Sequence, residues 1–257
     1  FSEGHILKPQ DIAFLAASGI ETVKVRRKPK VAAFSTGNEL REIGEKLREN
    51  QIYDSNRYYM LSAIEDYGGV SIDLGIVKDE VATISETIHK ATKISDLILV
   101  NGGTSVGSKD YGPQALKSLD NSKIIVHGVS MKPGKPSALG LVNKKPIVLL
   151  PGHPVATMIV FRVFVKKIIT TLTGANIKFE TGIVRACLSR RIASQPGIRD
   201  FIRVSISKNG CTMPAAEPIR ISGSGLISSM VKADGLLIIP EEKEGLEKGE
   251  IVDIIPI

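Results

Sequence analysis

Strands and helices alternate along the first part of the sequence. Apolar runs of strand length occur at residues 31–36, 70–77, 96–100, 123–127 and 147–150. Apolar residues at helical spacing occur between them, at residues 55–67, 79–91 and 154–172. We expect Asp79 to cap the second of these helices, and Gly174 to end the third. The alternation predicts βαβ units and a mostly parallel sheet.

The pattern changes after Gly174. Polar and apolar residues alternate at 182–188 and 200–206, and short apolar runs follow at 235–240 and 250–255, which is typical of a small all-β domain. The expected fold is therefore α/β: a three-layer, mostly parallel sheet with helices on both faces, followed by a small all-β, barrel-like C-terminal domain. The expected parts are an N-terminal helix (about Pro9 to Ser18) and connector at 1–27, an α/β domain at 28–174 and a β domain at 175–257.

Four predicted strands end in loops rich in glycine, proline and polar residues. These loops lie at residues 36–40, 101–111, 130–137 and 151–154. The carboxyl ends of parallel strands share one edge of a sheet, where open α/β sheets bind ligands, so we expect the loops to converge. The loop at 101–111 lacks the spacing of a P-loop or of a dinucleotide fingerprint. It ends in Asp110, whose carboxylate could hold a cation beside phosphate or simply cap the next helix.

Composition narrows the class of protein. The 257 residues carry a formal net charge of +7, which suits an anionic ligand. The basic segment 24–30 has no aromatic residues interleaved, so we interpret it as a solvated connector and expect no nucleic-acid binding. Cys187 and Cys211 fit a reducing compartment and are expected to be neither a disulfide framework nor metal ligands. No apolar run approaches the roughly 20 residues of a membrane span, and we expect a soluble, cytoplasmic protein.

Five motifs, taken in order, make the prediction specific. They are Ser-Thr-Gly-Asn-Glu-Leu at 35–40, Tyr-Asp-Ser-Asn at 53–56, Gly-Gly-Thr-Ser-Val-Gly-Ser-Lys-Asp-Tyr at 102–111, Lys-Pro-Gly-Lys-Pro at 132–136 and Pro-Gly-His-Pro at 151–154. In order and approximate spacing they resemble the MoeA/gephyrin E-domain family, and the resemblance covers nearly the whole chain. It implies molybdenum cofactor biosynthesis: insertion of molybdate into adenylylated molybdopterin, with Mg²⁺ and with release of AMP.

The resemblance also implies roles for particular residues. Asp110 would be catalytic and hold Mg²⁺, and Lys132 and Lys135, on a turn braced by proline, would act on phosphate or molybdate. The cofactor-binding residues would be Thr36, Gly37, Glu39, Asp54, Asn56, Gly102, Gly103, Ser105, Gly107, Ser137, Pro151, Gly152, His153 and Pro154. Glycine N–H groups in this set would meet phosphate.

For several of these residues, a purely structural role is an alternative to a role in ligand binding. Asp54 and Asn56 precede a helix, so one could cap it while the other contacts ligand. Two lysines on a turn, such as Lys132 and Lys135, are often exposed to solvent without any function. The segment 222–225 before a short helix could be a flexible turn or a second anion contact. His153 stands where the family more often has Asn, and molybdate and tungstate stay equal candidates.

Other functions remain open from the sequence. A molybdopterin adenylyltransferase would share the α/β domain but normally lacks the β domain, and a non-catalytic scaffold could use the same fold. The chain begins at Phe1, and the family's dimer-forming N-terminal region is not in it, which suggests a cloning boundary or a split gene. We therefore expect the chain alone to bind the pterin nucleotide weakly and to have little or no transferase activity. The expected partners are its small-molecule substrate and other proteins of cofactor biosynthesis, with a homodimer in the full-length family.

Overall fold

A mixed six-stranded sheet forms the first half of the molecule. The computed structural model describes residues 1–104, 110–175, 182–207, 213–219 and 225–257. The strands of this half are β1 Lys30–Thr36, β2 Leu40–Arg41, β3 Ile52–Tyr53, β4 Val70–Val77, β5 Leu97–Asn101, β6 Ser122–His127, β7 Met131–Lys132, β8 Ala138–Val142 and β9 Lys145–Leu150. The sheet order is β4-β1-β5-β9-β8-β6, and the first four strands are parallel. Because β8 is antiparallel to both β9 and β6, strand β6 again runs in the direction of the parallel set.

Helices cover both faces of this sheet, as predicted. The helices are α1 Pro9–Ala17, α2 Ser55–Asp66, α3 Val81–Ile94, α4 Tyr111–Lys117, α5 Pro154–Val160, α6 Lys166–Thr173 and α7 Ser228–Val231, and a π-helical segment, Phe161–Val165, joins α5 to α6. Alternate residues of β1 enter the two cores: Val31 and Ala33 pack with α2 and α5, and Ala32 and Phe34 pack with α3 and α4. This is the period-two alternation of a strand buried on both faces.

The second half is a closed five-stranded barrel. Its elements are β10 Val184–Leu188, β11 Ile192–Ala193, β12 Arg199–Ser207, β13 Ala215–Pro218, β14 Gly235–Ile239, β15 Gly245–Leu246 and β16 Ile251–Pro256. The order β13-β10-β16-β14-β12 closes through a β12–β13 pairing. The short strand β7, from the first half, pairs with the start of β12 and links the two sheets. The predicted fold class is confirmed, while the exact domain boundaries stay a prediction.

Two local predictions needed correction. Asp79 does not cap α3: the N-cap is Glu80, no side chain caps the helix, and Asp79 Oδ2 instead accepts a hydrogen bond from the N–H of Asn38. The apolar residues Ile12, Leu15 and Ala16 predict one buried face on α1, but only Leu15 is buried, and Ile12 is exposed. The Asp79 difference comes from its contact with the distant Asn38, which a local pattern does not contain.

Arg27 helps to anchor the basic connector to the sheet. Arg27 makes two hydrogen bonds, of 2.6 and 2.7 Å, to the carboxylate of Asp96 just before β5. Those bonds, together with one from the N–H of Lys30, lower the pKa of Asp96 to about 2 against the effect of burial. Within the described ranges, no helix is long and apolar enough to cross a membrane.

Candidate functional site

Three parallel strands end at one cavity. The loops that follow β1, β5 and β9 surround a volume of about 520 Å³ at the carboxyl edge of the sheet. Of the predicted site residues, the cavity is lined by Thr36, Glu39, Asp54, Asn56, Gly102, Gly103, Gly152, His153 and Pro154. It is also lined by residues to which the sequence assigned no individual ligand role, namely Leu40, Ile52, Tyr53, Ser55, Asp79, Asn101, Thr104, Tyr111 and Gly225.

Gly102 and Gly103 allow the loop that follows β5 to pack against the end of β1. Their φ angles are +88° and +62°, and a Cβ atom on Gly102 would lie 2.4 Å from the carbonyl oxygen of Thr36. The N–H of Gly102 donates to the carbonyl of Leu150 at 3.0 Å. That N–H is therefore already paired within the protein, and Gly102 permits a close approach of two loops. Its contact with phosphate stays a prediction.

Asn101, the last residue of β5, holds the neighbouring loop in place. Its Nδ2 donates to the carbonyl of Pro151 at 2.8 Å and to Oγ1 of Thr157 at 2.9 Å. Its Oδ1 accepts from Nδ2 of Asn56 at 2.9 Å. Asn101 is almost fully buried, so these bonds fix the positions of the 151–154 loop and the start of α2. The signal in the sequence was an amide side chain directly after a buried strand.

Asp54 is a cap, and Asn56 faces the cavity. The Asp54 carboxylate accepts from the N–H of Arg57 at 3.1 Å, from the hydroxyl of Ser35 at 3.0 Å and from Nε of Arg57 at 3.0 Å. The side chain of Asp54 is 1% exposed. Of the two roles left open by the sequence, helix capping therefore belongs to Asp54, while Asn56 Oδ1 is buried without a hydrogen-bond partner.

The buried side chain of Arg57 lies next to Asp54, outside the set of residues that line the cavity. Arg57 also binds the carboxylates of Asp73 and Glu42, and its guanidinium lies 5.0 Å from the centre of the Tyr58 ring. Burial by itself lowers the pKa of Arg57, but the hydrogen bonds that it donates to Asp73 and Asp54 outweigh that effect and raise its pKa above the ordinary value. Arg57 thereby ties α2 to β4 and to the loop between β2 and β3.

Asp110 lies on the same edge of the sheet, outside the set of residues that line the cavity. Its Oδ2 is 3.1 Å from Nε2 of His127, at the end of β6. Asp110 occupies the N-cap position of α4, but its side chain makes no capping hydrogen bond. Within the part of the chain that the structure describes, His, Cys, Asp and Glu side chains form no group of three or more that could hold a metal ion.

The turn with the two lysines starts from the same edge, because His127 pairs with Ala138 at the end of the turn. Lys135 is exposed, and Lys132 Nζ lies 3.5 Å from Oδ2 of the buried Asp200 in β12. Neither lysine lines the cavity described above. Ser137 is fully buried and donates its hydroxyl hydrogen to the carbonyl of Gly134, which closes the turn, and its contact with cofactor stays a prediction.

The remaining predicted residues fall into two groups. Gly37 and Pro151 lie in the cavity loops without lining the cavity. Ser105 and Gly107 lie outside the described residues, as do Cys211 and most of the segment 222–225. Cys187 is a half-buried free thiol in the barrel. Two cavity residues had no ligand role from the sequence: Asp79 was expected only to cap a helix, and Tyr111 was only the last residue of the motif at 102–111.

Comparison with protein families assigns both halves of the chain. Residues 32–171 match the family described as a probable molybdopterin binding domain, and residues 185–257 match the MoeA C-terminal region, domain IV. The chain belongs to the MoeA family. The resemblance seen in its five motifs is thereby confirmed.

Relatives of this MoeA-family chain are found in bacteria and archaea. It is 42% identical to a molybdopterin molybdenumtransferase of Nostoc sp. over 98% of this chain and 58% of the relative. It is 36% identical to a putative molybdopterin biosynthesis protein of Methanocaldococcus jannaschii, over 98% of this chain and 61% of the relative. The crystal structure of a molybdopterin biosynthesis MoeA protein from Pyrococcus horikoshii superposes with a TM-score of 0.84 at 34% identity, covering 98% of this chain and 60% of that one. The chain thus spans about three fifths of the length of these relatives.

Proposed function

We propose that the protein is a molybdopterin molybdenumtransferase, which inserts molybdate into adenylylated molybdopterin and releases AMP. The observation that carries this proposal is the meeting of three strand-end loops at one cavity, in a chain whose two halves both match MoeA-family regions. Relatives named molybdopterin molybdenumtransferase align over nearly the whole chain and support the same function. Tungstate is an alternative oxyanion substrate.

Asp110 is the residue that we propose to hold Mg²⁺. Mg²⁺ is usually bound by one or two carboxylates together with substrate phosphates, so a single carboxylate beside the glycine loop fits it, whereas a cage built from protein side chains is not required. The Asp110 side chain is only 15% exposed and is oriented by His127. When bound, the ion would neutralise charge on the pyrophosphate.

The chain's own residues would bind and orient the substrate. The loops at 36–40, 102–104 and 152–154 form the walls of the cavity, and Asn101 holds two of them in register. Lys135 is exposed at the same edge and can attract an anionic group. Bringing molybdate and the dithiolene together in a fixed geometry lowers the entropic part of the barrier.

Two alternatives are less well supported. A molybdopterin adenylyltransferase would use the α/β domain alone, but here a closed barrel follows it and matches the MoeA C-terminal region. A non-catalytic scaffold would need neither a polar cavity nor the buried hydrogen bonds that hold its loops.

The test is release of AMP. The complete protein, including whatever the gene encodes before residue 1, is purified and incubated with adenylylated molybdopterin, molybdate and Mg²⁺, and AMP is measured by chromatography. We expect AMP release that depends on molybdate, and its loss in Asp110→Asn, a change that keeps the size of the side chain. Lys117→Gln, on the helix that follows, serves as the matched control. Near-normal turnover in Asp110→Asn would mean that Asp110 has only a structural role. Failure of the wild-type protein to release AMP would refute the proposed reaction.

A further inference from the structure

Asp200 is a buried carboxylate at the junction between the sheet and the barrel. It lies in β12, and its side chain is only 3% exposed. Its Oδ2 accepts a hydrogen bond from the hydroxyl of Ser194 at 3.4 Å and lies 3.5 Å from Nζ of Lys132. The side chain of Lys132 is 53% exposed. The carboxylate is therefore closed off from water, whereas the lysine that pairs with it stays open to a ligand.

The main chain brings these two residues together. Strands β7 and β12 are parallel neighbours, with Lys132 directly opposite Asp200 and Met131 opposite Arg199. The N–H of Arg199 donates to the carbonyl of Ser130 at 3.0 Å. The side chain of Met131 is buried in the core of the first half, which holds β7 from its other side. The ion pair thus connects two fixed positions of the main chain.

Stability does not explain a carboxylate at this position. Burial raises the pKa of Asp200, because its charged form is poorly solvated there. Replacing a buried ion pair by uncharged side chains of similar size is often neutral or stabilising. The carboxylate is better explained by its effect on Lys132, to which the resemblance gives a role with phosphate or molybdate.

A lysine side chain gains precision from such a partner. Its four-carbon chain is flexible, and restricting it costs rotamer entropy when a ligand binds. An ammonium group carries three N–H donors, so Lys132 can donate to Asp200 and to an anionic group at the same time. A carboxylate fixed by burial and by the β7–β12 pairing can therefore set the position of the ammonium before the substrate arrives.

We propose that Asp200 is a positioning residue for the reaction: from the barrel, it holds the ammonium of Lys132 where it meets the phosphate or molybdate of the substrate. This assignment rests on the proposed function, because it takes the role of Lys132 from that reaction. It also gives the barrel a part in the chemistry, since a residue of the second half orients a lysine of the first.

The first experiment measures how mobile the lysine ammonium groups are and does not depend on turnover. The complete protein is isotopically labelled in its lysine side chains, and nuclear magnetic resonance relaxation is recorded at Lys132 and Lys135, with each signal assigned by its loss in the corresponding Met variant. We expect Lys132 to be clearly less mobile than the exposed Lys135 in the wild-type protein, and equally mobile in Asp200→Asn. Equal mobility in the wild-type protein, or a Lys132 that stays ordered in Asp200→Asn, would overturn the assignment.

The second experiment measures AMP release by the same proteins. Asp200→Asn keeps the size of the side chain, and we expect kcat to fall about tenfold while KM for adenylylated molybdopterin changes less than about threefold, since the lysine is present but less well placed. Resistance to urea should be unchanged or higher, because a buried charge is removed. Glu241→Gln is the matched control: Glu241 pairs with Arg199, the neighbour of Asp200, at 2.8 Å on the exposed side, and its loss should change neither constant.

A double-mutant cycle separates positioning from general damage. Because Asp200 acts through Lys132 in this assignment, Asp200→Asn should cause no further loss of kcat in a Lys132→Met background. An equal fold loss in both backgrounds, or an unchanged kcat in Asp200→Asn alone, would overturn the assignment even if the wild-type protein releases AMP. If the wild-type protein releases no AMP, the proposed reaction fails, and the relaxation experiment decides whether Asp200 holds Lys132.

Discussion

Gly102 shows how one residue without a side chain shapes the cavity. Its φ of +88° lies in the left-handed region, and the space where a Cβ would be is filled by the main chain of Thr36. The neighbouring loops can therefore meet at the end of β5 only if this position is glycine. The sequence indicated a glycine-rich ligand loop, but the direct role of Gly102 is contact between loops.

We expect Gly102→Ala to destabilise the protein through two effects that can be separated. Gly249 has nearly the same φ, +87°, with no atom within 4 Å of the position of a Cβ. Gly249→Ala should therefore show the cost of the backbone conformation alone, about 1 kcal/mol. Gly102→Ala adds the clash and should cost about 1 to 3 kcal/mol more. Urea unfolding of both variants measures the difference, and equal losses would mean that the loop yields without cost.

The elements differ in how far a local pattern predicts them. The strands β1, β5 and β9 were predicted because burial on both faces gives continuous apolar runs. The two-residue strands β2, β3 and β7 were not, since their pairing depends on contacts with distant parts of the chain. The same limit applies to the cluster around Arg57. Its carboxylates come from residues 42, 54 and 73, and from sequence alone Asp54 was indistinguishable from an ordinary helix cap.

Loss of Arg57 should affect several elements at once. In Arg57→Met, the Asp54 carboxylate would remain buried without its cation, and we expect a loss of about 3 to 5 kcal/mol in the free energy of unfolding. Lys90→Met is the matched control, because Lys90 pairs with Glu86 on an exposed helix surface and should cost under about 0.5 kcal/mol. Chemical denaturation followed by circular dichroism measures both. Similar small losses in the two variants would show that the cluster adds little stability.

At the scale of the whole molecule, the turn at 131–137 joins the sheet to the barrel. Strand β7 pairs with β12, and the ammonium of Lys132 faces the buried carboxylate of Asp200 at this junction. Burial raises the pKa of Asp200 above its ordinary value of 3.8, and Lys132 opposes part of that rise. The motif at 132–136 suggested chemistry for both lysines. The contact of Lys132 with a second domain was beyond the reach of the sequence, because it depends on how the two sheets dock.

Lys132 and Lys135 should therefore differ in their effects on stability and in the pH dependence of those effects. The pKa of Asp200 is higher in the folded than in the unfolded chain. Ionisation of Asp200 therefore lowers the free energy of unfolding as the pH rises through its pKa in the folded chain. Lys132 offsets that loss only where the carboxylate is charged. Lys132→Met should lower the free energy of unfolding by about 1 to 2 kcal/mol at pH 7 and by much less at about pH 3.5. The expected loss at pH 7 is small because the Lys132 side chain is exposed to solvent. Lys135→Met removes the same charge from the same turn and should leave stability nearly unchanged at both pH values.

Urea unfolding at the two pH values tests this, and AMP release measured on the same proteins tests the catalytic role proposed for each lysine. A loss in Lys132→Met that does not depend on pH would mean that its contact with Asp200 is not what joins the two halves.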